Sequence, residues 1–184
     1  VEVDAARPVE RALTGIALRS EGGDVLAQQP WLSINNLGRM ADVMAADLAR
    51  LSPDDAAQIA SNLADIKQRL LTLSATSERR LAELDNLSVA SLSPGFEYLT
   101  TGLNLDVIEL SADPAVDAFK SVIEDNDVRL VLSDRAVDET VTAAVKDAGA
   151  RLLVLEDSAG DPVNGLVALT EQVIDGLSAA QDTD

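Results

Sequence analysis

Residues 51–84 read LSPDDAAQIASNLADIKQRLLTLSATSERRLAEL. Ile59, Leu63, Ile66, Leu70 and Leu73 recur at intervals of three and four, and Leu81 and Leu84 resume the same series. That spacing keeps one face of an α-helix apolar. No glycine or proline falls between Pro53 and Pro94. The entry is marked too: Ser52 stands at an N-cap position, Pro53 at the first helical position and an acid at the third, which suits the positive end of the helix dipole. The reading predicts one helix of roughly 32 residues, about 50 Å long. A coiled coil is the other use for such a length, but the apolar seam breaks at Ser77 and strand-like sequence follows at once. The helix is therefore expected to be a strut along one domain.

Upstream, Leu37, Met40, Ala41, Met44, Leu48 and Leu51 place another helix, of about four turns, from Asn35 to the Ser52-Pro53 break. Residues 1–33 carry Pro8, Gly15, Gly22, Gly23 and Pro30 without sustained periodicity, so they are expected to form an irregular lead-in with one short helix near Val9 to Leu18. Downstream the period changes. LSVASL (87–92), LDVIEL (105–110), VRLVLS (128–133) and RLLVLE (151–156) are short apolar runs that suit buried parallel strands. Helical patterns over 114–125, 135–148 and 163–180 separate and follow them. The expected class is α/β: a long backbone helix followed by a four-stranded, mostly parallel sheet flanked by helices. Three regions follow: 1–33, 34–86 with the long helix, and 87–184 as the α/β lobe.

Composition narrows the chemistry. The 184 residues contain neither cysteine nor histidine, which removes thiol nucleophiles, disulfides, imidazole bases and Ser-His triads. With 32 acidic and 14 basic residues the formal charge is −18, so no basic patch is available for nucleic acid. No apolar run is long enough for a membrane span. The amino terminus, VEVDAARPVE, does not have the form of a signal segment.

Chemistry-bearing motifs are few. The sequence has no G-x-G-x-x-G, G-x-x-x-x-G-K or G-x-S-x-G. In the stretch LSPGFEYLTTGL (92–103), Ser93, Pro94 and Gly95 sit where a nucleophile could stand, but no base is in evident reach, so an enzyme is not expected. Asp157 and Asp161 follow the last strand at the carboxyl edge of the sheet and could offer oxygen to a hard cation, although they read equally well as ordinary loop acids.

These pieces, in order, resemble a family. Gln29-Pro30-Trp31-Leu32, a helix, LSPDDAAQIASNLADIKQRL, the turn SPGFEYL and then LEDSAG resemble the second half of the zinc- and manganese-specific solute-binding proteins of ABC importers, over about residues 25–180. In that family the first stretch typically reads Pro-His-x-Trp-Leu-Asp-Pro, the long helix joins two lobes, and the turn typically reads His-x-x-x-x-Tyr. The resemblance places Gln29 at a histidine ligand position, Ser93 at a histidine or glutamate position, and Asp157 at the aspartate ligand. Trp31, Phe96 and Tyr98 become packing residues of the site turns. The family's remaining ligand belongs to an amino-terminal lobe, of which residues 1–33 would be the closing stretch.

One metal ligand of four is thus kept, and neutral Gln and Ser replace two donors that normally supply the affinity. The resemblance implies zinc or manganese as cargo, yet neither is expected to bind tightly. It also implies an ABC permease and ATPase as partners, and an extracytoplasmic location as a periplasmic or cell-surface lipoprotein. The other reading is a non-metal binding or scaffold and adhesion module built on the same fold, its acidic surface selecting basic partners.

Overall fold

The computed structural model describes residues 29–110, 116–155 and 160–181. The short helix expected near Val9 to Leu18 lies outside them. A 3₁₀ turn, Pro30–Leu32, leads into α1 (Ile34–Leu51), whose first turn is capped by Ser33 Oγ accepting from the Asn36 N–H at 3.4 Å. At 18 residues α1 has five turns rather than four.

The strut is α2 (Ala56–Leu81), one unbroken helix of 26 residues and about 39 Å. It is shorter than expected at both ends, for two reasons. Pro53–Asp55 forms a separate 3₁₀ turn, and Ser52 makes no side-chain cap; its carbonyl accepts from the Asp55 N–H instead. At the far end Glu83 and Leu84 donate to Arg80 and Leu81, three residues back, so the last turn tightens and the helix stops. Ser77 does not break the seam. It is buried with Leu70, Leu73 and Leu81, continuing the stripe as a small residue where α2 lies on the rest of the domain.

Beyond α2 the chain runs β1 (Ser88–Ser91), a 3₁₀ turn Pro94–Phe96, α3 (Glu97–Gly102), β2 (Asp106–Glu109), α4 (Val116–Asp125), β3 (Leu130–Ser133), α5 (Glu139–Asp147), β4 (Arg151–Val154) and α6 (Pro162–Gln181). Each strand has four residues, and all pairings are parallel in the order β2-β1-β3-β4, with Val89 opposite Val107 and Leu130, and Leu132 opposite Leu153. Period-2 alternation sends neighbouring residues to opposite faces. Val89, Leu130 and Leu132 join the core under α2, α3 and α6, whereas Ala90 and Val131 meet Phe119 and Ile123 of α4 and Val145 of α5. Both faces of the sheet are covered, as a parallel sheet requires.

The last helix is the keystone of the first core. Leu166, Leu169, Val173, Ile174 and Leu177 are buried on it, and Gly176 lets its backbone approach the sheet: a Cβ there would lie 3.2 Å from both Leu130 Cδ1 and Leu153 Cδ2. Among the described residues no helix is long and apolar enough to cross a membrane.

Candidate functional site

The carboxyl ends of the parallel strands form one edge, and the two central strands, β1 and β3, bring two turns together there. Ser91 closes β1, and its hydroxyl folds the chain back by donating to the Ser93 carbonyl at 2.7 Å. Ser133 repeats the device at the end of β3, donating to the Arg135 carbonyl at 2.7 Å. The next residues therefore leave the sheet in similar ways, and Ser93 and Asp134 come face to face. Ser93 Oγ donates to Asp134 Oδ2 at 2.8 Å and accepts from the Gly95 N–H at 3.2 Å. Ser93 is 6% exposed, so its hydroxyl is both buried and engaged. The Asp134 side chain is 45% exposed and faces Arg135 Nη1 at 3.7 Å.

Phe96 and Tyr98 follow Ser93 and are buried in the core beneath α2 and α6, at 5% and 6% exposure, with Leu99 between α3 and the sheet. Thr100 Oγ1 donates to the Phe96 carbonyl at 3.0 Å, which fixes the start of α3. The Pro30–Leu32 turn packs against α3, α1 and α6, so Gln29, half-buried at its head, lies on an element that touches the helix leaving the Ser93 turn. Gln29 contributes its carbonyl to the turn, accepting from the Leu32 N–H at 3.0 Å, and makes no side-chain cap. Trp31 is partly buried against the same core.

Asp157 lies outside the described residues. Asp161 is described and is a helix cap: its Oδ1 accepts from the N–H groups of Val163 at 2.8 Å and Asn164 at 3.0 Å, opening α6. Asp134 is the residue that the sequence reading missed. Its only mark in the sequence is its position directly after the apolar run VRLVLS, at the carboxyl end of a central strand.

The chemistry of this edge is neutral oxygen plus carboxylate. A hydroxyl has one proton and two lone pairs; that of Ser93 has given its proton to Asp134 and holds the Gly95 N–H. Neither it nor an amide side chain such as Gln29 matches the imidazole, thiolate or carboxylate donors that hold zinc, or the charged oxygen donors that suit manganese. Among the described residues no three His, Cys, Asp or Glu side chains converge in a metal-binding group.

Solved structures share this architecture. ZnuA superposes with a TM-score of 0.73 at 22% identity, covering 90% of this chain and 68% of its own. FpvC from Pseudomonas aeruginosa, solved in complex with Mn2+, gives 0.68 at 20% identity, with 91% and 69% covered. The laminin-binding protein Lmb of Streptococcus agalactiae, described as bifunctional with adhesin and metal transporting activity, gives 0.72 at 16% identity, with 90% and 70% covered. At these identities the likeness is one of fold. No curated protein matches the sequence. The sequence profile of the family described as zinc-uptake complex component A, periplasmic, matches residues 11–180, nearly the whole chain, and the protein belongs to that ZnuA family of metal-type ABC solute-binding proteins.

Proposed function

We propose that the protein acts as the extracytoplasmic solute-binding component of an ABC importer of the zinc and manganese type, with a metal site so altered that neither cation binds tightly. The observation that carries the second half is the Ser93–Asp134 hydrogen bond. At the position where the family places a histidine or glutamate, this chain has a buried hydroxyl already held on two sides. Gln29 adds a neutral amide, and Asp157 is the one family ligand retained in the sequence. Cargo affinity in such sites comes from deprotonated or imidazole donors, and one carboxylate with two neutral oxygens supplies little of it. By family membership the partners are an ABC permease and ATPase, and the setting is the periplasm or the cell surface as a lipoprotein.

Calorimetric titration of the chain with zinc and with manganese at neutral pH tests this. The expected result is weak, salt-sensitive association with the acidic surface. A submicromolar one-to-one site that disappears in Asp157→Ala would restore an ordinary metal receptor.

A second reading has its own support. The formal charge of −18 together with exposed apolar side chains on α1 favours a module that binds another protein, and an adhesin activity is printed for one protein of the same fold.

A further inference from the structure

The α1–α2 hairpin encloses a groove of about 490 Å3 that is almost wholly apolar. Met40, Met44 and Leu48 line it from α1, Ile59 and Leu63 from α2, and Trp31 closes the end toward the sheet. Two of these side chains face solvent extensively: Met44 is 55% exposed and Leu48 50%. Both lie far from the Ser93 turn in the chain, on the helices that precede the α/β layers, so the groove is separate from the candidate metal edge and stands whether or not that edge binds a cation.

We infer that this groove docks a cationic amphipathic helix of a partner protein. Three observations point to that occupant. The lining on α1 extends from Leu37 to Leu48, about 16 Å or three helical turns, which matches the length over which a helix presents anchors at i, i+3 or i+4, and i+7. Two methionines supply flexible, polarizable walls that adapt to unlike apolar side chains. Acidic groups also surround the groove. Asp47 lies between Met44 and Leu48 on the flank of α1, Asp55 is one turn before Ile59, Asp54 shares its turn, and Asp65 adjoins Ile66. A chain with a charge of −18 repels an acidic helix and attracts a basic one.

The sole tryptophan lines the groove, so it reports occupancy directly. The test titrates the full chain with a synthetic Leu/Lys peptide of about four helical turns, its leucines at i, i+3, i+4 and i+7, while following Trp31 emission. The expected result is a saturable blue shift at one peptide per chain. Met44→Glu places a charge in the groove and weakens binding about tenfold or more, added salt weakens it, and Leu71→Glu on another exposed site of α2 leaves it unchanged. A scrambled peptide of the same composition binds at least about tenfold more weakly because its leucines no longer share one face. Equal binding of the scrambled peptide, indifference to Met44→Glu, or no shift would overturn the inference. A Trp31 shift on concentrating the protein alone would assign the groove to a second copy of this chain and overturn it as well.

Discussion

Ser93 Oγ donates to Asp134 Oδ2 across 2.8 Å, and this contact ties the turn after β1 to the end of β3. The two residues are 41 positions apart in sequence, and they meet because β1 and β3 are parallel neighbours whose carboxyl ends are in register, Ser91 opposite Leu132. In a metal receptor of this fold a cation can cross-link such turns. Here a neutral hydroxyl and a carboxylate do so without one.

Ser93→Ala removes both the donor to Asp134 and the acceptor that caps the Gly95 N–H. Asp134 is half-exposed and regains water, so the expected loss is about 1–2 kcal/mol. It should appear as a lower denaturant midpoint with an unchanged slope. Asp134→Asn keeps an acceptor at the same place and should cost less. If the two variants reversed in order, the hydrogen bond would not be the link between the turns.

Gly176→Val tests the seat of α6 on the sheet. Its added carbons would press on Leu130 and Leu153, whose methyl groups already stand 3.2 Å from an ideal Cβ. The expected cost is about 2 kcal/mol or more, whereas Gly176→Ala should cost less because alanine's better helix propensity offsets part of the crowding. A thermal midpoint unaffected by valine would contradict the close approach of α6 to β3 and β4.

The strut is held to α6 by apolar burial rather than by its ion pair. Arg80 and Asp175 are paired between the two helices, but the aspartate side chain is 67% exposed. Asp175→Asn should therefore cost less than about 1 kcal/mol. Leu73, 7% exposed in the same interface, should cost about 2–5 kcal/mol when cut to alanine. Chemical denaturation of the two variants side by side compares them, and comparable losses would mean that the interface is mainly electrostatic.

The parts of the fold visible in the sequence are those specified by local periodicity. The leucine stripe of α2 and the four apolar runs each carry their own period, and the strands and helices lie where those periods place them, with ends trimmed by capping. Ser77 was misleading because an apolarity pattern treats a serine as a gap, while a helix interface accepts a small hydroxyl residue. The candidate site was less legible. Ser93 could be singled out through the family resemblance, but Asp134 acquires its role only from the β1–β3 adjacency, a long-range pairing that no local motif records. Asp161, offered by the sequence as an oxygen ligand, has its Oδ1 occupied by the first N–H groups of α6.

The central claim is that this ZnuA-family chain does not hold zinc tightly because Gln29 and Ser93 stand where stronger donors are needed. The most direct measurement is a competition for zinc between the chain and a chromogenic chelator of submicromolar affinity, run beside the Gln29→His/Ser93→His variant. The unaltered chain should leave the chelator loaded, and the double variant should withdraw zinc from it, since two imidazoles would then join Asp157. Stoichiometric withdrawal of zinc by the unaltered chain, abolished by Asp157→Ala, would contradict the account.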